Sequence, residues 1–323
     1  MTRLWIILAV AVFCVVTATR PDPRVQAAID ALSEHSHQTE ETADGAFYCP
    51  MEPSVRAVLP GRCPQCGMTL VAGAPDIVEY RLDLGIEPTV PRAGEVTRLT
   101  FGLLNPRSGQ PARRFEVVHE QLYHVFVVSE DLSFFVHTHP ERAIDEDFHL
   151  DLTFPKPGMY RVLSDFYPSD GTPQLITNTI IVPGGDAAAD VALASIEGDL
   201  AAKLTENARA ELRLQPEHVR AREAVTMTVR VSPGNGMERY LGAWGHMLVA
   251  SADLIDMIHN HPSGASDPSG GAYKDIAFTM VFPRAGVYRV WVQFQREGVV
   301  NTVAFDVPVE EPTYTGRTTR GTL

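Results

Sequence analysis

One sequence pattern occurs twice in this chain, and the repeat limits the possible folds more than any other feature. The segment 122–140 aligns with 244–262 at a constant offset of 122, and both segments end in His-x-His-Pro. After an insertion of six residues, 154–162 aligns with 282–290 at an offset of 128, and both read Phe-Pro-x-x-Gly-x-Tyr-Arg-Val. Self-similarity at a fixed spacing indicates a duplicated structural unit, so we expect two domains of the same fold.

The repeated units have the pattern of β-sandwiches. Short apolar runs rich in Val, Thr, Phe and Tyr are separated by Pro and Gly, and polar and apolar residues alternate in 97–101 and 225–229. We therefore predict a mainly β protein with two tandem immunoglobulin-like or cupredoxin-like β-sandwiches. The predicted boundaries are listed here: sandwiches at 77–184 and 205–309, a linker with one short helix at 185–204, and a disordered tail at 310–323.

The N-terminus is typical of an export signal. A basic Arg3 precedes an apolar run of 13 residues, Leu4 to Val16, which is shorter than the roughly 20 residues needed to span a bilayer. We predict a signal peptide at 1–18, cleaved after Ala18, followed by a polar tether at 19–45. The protein is then periplasmic or secreted, and it contacts a membrane only if the N-terminal segment stays uncleaved.

Charge and cysteine content exclude some classes of function. The 40 acidic residues outnumber the 27 Lys and Arg residues, and the net charge of −13 with no basic patch makes a nucleic acid an unfavourable partner. Of the four cysteines, Cys14 lies in the predicted signal peptide. The three that remain cannot form a complete set of disulfides.

The most specific motif is the cysteine segment, which we predict to be a small metal-binding module at 46–72. It reads Tyr-Cys-Pro-Met-Glu-Pro from residue 48 and Cys-Pro-x-Cys-Gly-Met from residue 63. Cys63 and Cys66 can hold one ion from a single tight turn, and Cys49 can supply a third thiolate. A bound ion would contribute folding energy that so short a segment cannot obtain from an apolar core.

This segment resembles the heavy-metal-binding domain of bacterial copper and silver efflux adaptors and of some metal-transporting ATPases. The resemblance implies that Cys49, Cys63 and Cys66 are ligands, that Met51 or Met68 supplements them, and that a metal efflux or delivery protein is a partner. That family typically has His where this chain has Glu52. Three thiolates with thioethers favour Cu(I), whereas three thiolates with Glu52 would form a zinc site. Alternatively, the segment holds a structural zinc, or contains a disulfide and one free thiol, and has no role in metal handling.

Six of the 11 histidines fall at matching positions of the two repeats. These are His124, His137 and His139 in the first copy, and His246, His259 and His261 in the second. In an extended strand, His-x-His places both rings on one face about 7 Å apart, and a third ring from a neighbouring strand would complete a metal site. We expect His119 to add a ligand to the first copy. Alternatively, the histidines brace loops by hydrogen bonds to main-chain carbonyls or to Asp131 and Asp253.

Three classes of function remain compatible with the sequence. A blue-copper carrier needs a thiolate beside two imidazoles, and neither sandwich contains a cysteine. Because the sequence also lacks Gly-x-Ser-x-Gly and phosphate-loop motifs, we expect no enzyme, although a copper-dependent oxidase at the first copy stays open. The best-supported hypothesis is an exported heavy-metal-binding protein for copper, zinc or a similar ion, acting in metal capture, tolerance or delivery. The alternative is a structural or interaction protein with a structural zinc module. In sequence, the repeats are similar to uncharacterised domains of exported bacterial proteins.

Overall fold

The structure is a computed structural model in which every regular element of the described residues is a β-strand. It describes residues 47–49, 55–64, 69–72, 79–106, 108–144, 147–169, 171–184 and 196–313. The predicted signal peptide, the tether and residues 314–323 lie outside these ranges. Within them, no helix has the length and hydrophobicity needed to cross a membrane. The predicted linker helix is not found in 196–204, and the rest of that linker lies outside the described residues.

The strands fall into three groups along the chain. The cysteine module contains β1 (Phe47–Tyr48), β2 (Arg56–Ala57) and β3 (Val71–Ala72). The first repeat contains β4 (Arg81–Glu87), β5 (Val96–Leu104), β6 (Tyr123–Ser129), β7 (Phe135–Thr138), β8 (Glu141–Arg142), β9 (Phe148–Thr153), β10 (Gly158–Phe166) and β11 (Gln174–Val182). The second repeat contains β12 (Lys203–Leu204), β13 (Arg209–Gln215), β14 (Val219–Arg220), β15 (Ala224–Ser232), β16 (Met237–Glu238), β17 (His246–Ser251), β18 (Met257–Asn260), β19 (Gly264–Ser266), β20 (Lys274–Val281), β21 (Gly286–Arg296) and β22 (Val299–Glu310).

Each repeat is built from two sheets. In the first repeat their orders are β4-β5-β9-β8 and β11-β10-β6-β7. In the second they are β12-β13-β15-β20-β19 and β14-β22-β21-β17-β18, with β16 pairing β21. The short module forms a three-stranded sheet of its own, in the order β2-β1-β3. The predicted mainly β fold with two tandem β-sandwiches is confirmed.

The Phe-Pro-x-x-Gly-x-Tyr motif forms the same corner in both repeats. The buried Tyr160 donates its hydroxyl to the carbonyl oxygen of Lys156 at 2.8 Å. The Tyr288 hydroxyl lies 3.1 Å from the equivalent carbonyl oxygen of Arg284 and donates to Oδ2 of Asp256 at 2.8 Å. Gly158, two residues before Tyr160, has a φ of 139°, a conformation that a residue with a Cβ rarely adopts. The motif therefore fixes the start of β10 and β21, the strands that face the other repeat.

The two sandwiches pack face to face through β6 and β10 of the first and β17 and β21 of the second. Every residue of β6 is buried, because alternate side chains enter the core of its own sandwich and the contact with the other repeat. Apolar side chains of both repeats form one buried cluster, which consists of Phe126, Val128, Leu132, Leu163, Leu248, Ala250, Leu254, Met257 and Trp291. Phe135 also stacks on Trp291 with ring centroids 5.0 Å apart.

This contact has the form of an isologous interface between two copies of one domain. Phe126 and Leu248 are equivalent in the repeat, as are Leu163 and Trp291, and all four lie in the shared cluster. In such an interface the same patch on each copy contacts the other copy, as in a two-fold symmetric dimer. Because the domain is duplicated within one chain, both halves of the interface belong to the same polypeptide.

Shortening a side chain in this interface should destabilise the protein. Leu163 is 1% exposed, so we expect Leu163→Ala to lower the free energy of unfolding by about 2–5 kcal/mol in urea denaturation. The matched control is Leu175→Ala on the neighbouring strand, where Leu175 is 46% exposed and the change should stay within about 0.5 kcal/mol. Equal small effects in both variants would contradict the packing of the repeats.

Candidate metal centre

Three histidines of the first repeat converge on one point, and we call His124, His137 and His139 the first-repeat group. The antiparallel pairing of β6 with β7 sets Val125 opposite Thr138, so the same register brings His124 opposite His139. The Nδ1 atom of His124 lies 3.2 Å from Nε2 of His137 and 3.1 Å from Nε2 of His139. These separations are those expected of nitrogens that share one ion at about 2.0–2.1 Å.

Each of two rings has an outer nitrogen, which points away from the group, and an inner nitrogen, which points into it. The hydrogen bonds of the outer nitrogens show where the protons lie. Nε2 of His124 donates to the carbonyl oxygen of Val118 at 2.9 Å, and Nδ1 of His137 donates to Oε1 of Gln293 at 2.7 Å. In a neutral ring, the inner nitrogens Nδ1 of His124 and Nε2 of His137 then carry lone pairs. Two lone pairs 3.2 Å apart cannot form a hydrogen bond with each other. A cation between them would bind to both.

Burial keeps the first-repeat group neutral. Desolvation, reinforced by the neighbouring His259, lowers the pKa of His137 to about 2. Desolvation and His124 lower the pKa of His139 to about 4, and desolvation also lowers the pKa of His124. A neutral imidazole is the form that binds a metal, so these rings are ready to act as ligands at neutral pH.

The second repeat builds an equivalent site, the second-repeat group, from His246, His259 and His261. Nε2 of His246 donates to the carbonyl oxygen of Tyr240 at 2.9 Å, and Nδ1 of His259 donates to Oδ2 of Asp165 at 2.5 Å. The remaining nitrogens of all three rings are buried and have no hydrogen-bond partner among the described residues. One nitrogen from each ring lies within 4.8 Å of the others, as in the first-repeat group.

The two groups are contiguous across the contact between the sandwiches. The ring centroid of His137 lies 5.7 Å from that of His246, and that of His124 lies 5.8 Å from that of His259. Within the first-repeat group, the corresponding distance from His124 to His137 is 5.5 Å. The histidines of both repeats therefore form one buried cluster.

His119 is found beside the second-repeat group, whereas the sequence analysis assigned it to the first. Its ring stacks on His261 with centroids 3.7 Å apart and lies 5.2 Å from His246. The tight turn at His119 and Glu120, with φ of 46° and 65°, directs the ring across the interface. This placement differs from the one expected, because closeness along the chain does not show which repeat a loop faces.

Main-chain carbonyls brace His124 and His246 as expected, but the two aspartates that were expected to brace histidines have other partners. Asp131 accepts hydrogen bonds from Ser129 and Ser133 and pairs with Lys156, and Asp253 pairs with Arg284. Among the described residues, neither aspartate forms a hydrogen bond with a histidine. The bracing side chains are instead Asp165 and Gln293, which sequence reasoning missed. They occupy equivalent repeat positions, at the offset of 128, but that equivalence does not show that either side chain reaches the other repeat.

The cysteine module lies against the first repeat. Cys49 and Cys63 are 0% and 2% exposed, and they pack in one cluster with Leu70, Val118 and Tyr167. The hydroxyls of Tyr48 and Tyr167 are 3.0 Å apart, which joins the module to the sandwich a second time. The other predicted ligands of this module lie outside the described residues, namely Cys66, Met51, Met68 and Glu52.

The turn that begins at Val118 connects all three candidate sites. The side chain of Val118 packs in the cluster that contains Cys49 and Cys63, and its carbonyl oxygen accepts the hydrogen bond from His124. The next residue, His119, stacks on His261 of the second-repeat group. The cysteine module therefore contacts the same turn that orients both groups of histidines.

Structural comparison gives only distant likenesses. The Escherichia coli adhesin FdeC has 14% identity and a TM-score of 0.24, covering 76% of this chain and 68% of its own. Carbohydrate-binding modules of the β-sandwich superfamily have 13% identity and a TM-score of 0.23, covering 71% of this chain and 100% of their own. TM-scores this low support no inference about fold or function.

Family models give a clearer result. No curated protein matches the chain. The model of the heavy metal binding domain matches residues 46–72, which confirms a domain of this kind in the cysteine segment. A second model matches twice, at 76–184 and 204–311, and it covers most of the chain. The protein thus belongs to the family described as "Domain of unknown function (DUF8832)", with two copies of that domain behind a heavy metal binding domain.

Proposed function

We propose that this is an exported metal-binding protein that holds copper, zinc or a similar ion at its cysteine module and at the histidine cluster. One observation carries the proposal: within each group the inner nitrogens converge, while outer nitrogens are fixed by hydrogen bonds to Val118, Gln293, Tyr240 and Asp165. Metal-binding histidines characteristically donate their second nitrogen to an oxygen in this way. Imidazole ligands suit copper and zinc, and thiolates suit Cu(I) and zinc.

Capture followed by internal transfer is the role that we infer for these sites. The cysteine module and the histidines meet at the turn of Val118 and His119, so an ion released by the module would enter the protein beside the histidines. The net charge of −13 raises the local concentration of cations around the chain. The predicted signal peptide supports export to the periplasm or the medium, and the role is binding rather than catalysis.

Metal analysis of the mature chain tests this proposal. We expect Cys63→Ser to remove the metal bound by the module, and His137→Ala with His139→Ala to remove a separate equivalent from the histidines. The control is His218→Ala, which changes an exposed histidine that pairs with Glu310 on the surface. It should leave the stoichiometry unchanged, and circular dichroism should show that all the variants fold.

The same measurement distinguishes the alternative function. A structural protein that carries only a structural zinc would lose its metal in Cys63→Ser and keep its stoichiometry in the histidine variant. A wild-type chain that takes up no ion at either site, even when loaded under reducing conditions, would contradict metal handling altogether.

Metal should also stabilise the folded chain through the histidines. An ion that binds only the folded state at 100 times its Kd raises the free energy of unfolding by about 2.7 kcal/mol. We expect Zn(II) to give a stabilisation of this order in urea denaturation of a chain whose Cys49, Cys63 and Cys66 are replaced by Ser. Adding His259→Ala and His261→Ala should reduce the gain, and an undiminished gain would place the stabilising ion elsewhere.

A further inference from the structure

We propose that the first-repeat and second-repeat groups form one two-ion centre, and that its two halves fill in order, the second-repeat group first. This inference rests on the proposed function, because it requires the histidines to bind metal. It adds that the two ions interact and that the duplicated halves have become chemically unequal.

The closeness of the two groups supports a single centre. The ring of His137 lies 4.9 Å from His139 of its own group, and 5.7 Å and 6.1 Å from His246 and His259 of the other group. The rings of different groups are therefore almost as close together as the rings within one group. Two cations held by such adjacent rings repel each other in a buried site, so the second ion binds more weakly than the first.

The outer hydrogen bonds make the two halves unequal. His259 donates Nδ1 to a carboxylate, Asp165, at 2.5 Å, whereas His137 donates Nδ1 to an amide, Gln293, at 2.7 Å. These two partners are equivalent in the repeat, and each comes from the opposite sandwich. A carboxylate makes the imidazole a stronger ligand and places negative charge beside the cation, while an amide only orients the ring.

Burial strengthens this difference. The side chains of His259 and Asp165 are 2% and 18% exposed, so water screens their interaction little. A cation on Nε2 of His259 would therefore be attracted by the negative charge of Asp165. The first-repeat group has an amide in the place of this acid.

His119 adds a second difference in the same direction. The equivalent residue in the second repeat is Leu241, so among the described residues only the second-repeat group has an extra imidazole stacked beside it. Nε2 of His119 is buried and has no hydrogen-bond partner among the described residues. The second-repeat group therefore has one more unpartnered imidazole nitrogen beside it.

Electron paramagnetic resonance during a Cu(II) titration tests the two-ion centre. The full mature chain is used with Cys49, Cys63 and Cys66 replaced by Ser, so that thiols do not reduce the copper. We expect the first equivalent to give a Cu(II) signal with nitrogen hyperfine structure, and the second to broaden or diminish that signal. A second equivalent that simply doubles an unchanged signal would overturn the two-ion centre.

Two matched substitutions test the order of filling. Asp165→Asn keeps the shape and removes the charge, and it should weaken the first binding step by about 10–100-fold. Gln293→Glu supplies the missing charge to the first-repeat group and should strengthen the second step by about 10-fold. Unchanged dissociation constants in Gln293→Glu, or in a folded Asp165→Asn, would overturn the order.

The outcomes separate this inference from the proposed function. Two copper ions that bind with equal affinity and independent signals would contradict the inference and leave metal binding intact. A protein that takes up no copper at the histidines would overturn both.

Discussion

The packing of the two repeats against each other is the constraint on which the candidate centre depends. Each sandwich presents one face of its β6 or β17 sheet to the other copy, and apolar side chains such as Phe126 and Leu248 bury that contact. The same strands carry His124 and His246, so docking the sandwiches also brings the histidines together. A single repeat could supply three imidazoles, but the side chains that orient His137 and His259 come from the other repeat.

These orienting contacts cross the interface in both directions. His137 donates to Gln293 of the second repeat, and His259 donates to Asp165 of the first. Arg289 of the second repeat adds a hydrogen bond to the carbonyl oxygen of Leu132 at 3.0 Å. Leaving several buried imidazole nitrogens without partners is costly, and proteins tolerate such groups mainly where they have a function. A bound ion would remove that cost, and this supports the proposal that the cluster binds metal.

Local sequence patterns were sufficient to predict the β-sandwiches, the duplication and the heavy metal binding domain. His-x-His in each copy also indicated which side chains lie on one strand face, because that depends only on strand periodicity. Which repeat His119 faces, and the roles of Asp165 and Gln293, could not be predicted in the same way. The contact of His137 with Gln293 joins residues 156 positions apart, and that of His259 with Asp165 joins residues 94 apart. Such pairs depend on how two finished domains dock, which no local pattern encodes.

Anomalous diffraction from crystals of the copper-loaded mature protein, measured on both sides of the copper absorption edge, tests the central claim most directly. If the histidines form a metal centre, copper peaks will lie between the two sandwiches, within bonding distance of Nδ1 of His124 and Nδ1 of His246. Copper found only at the cysteine module, with the histidine rings unchanged around an empty cluster, would contradict it.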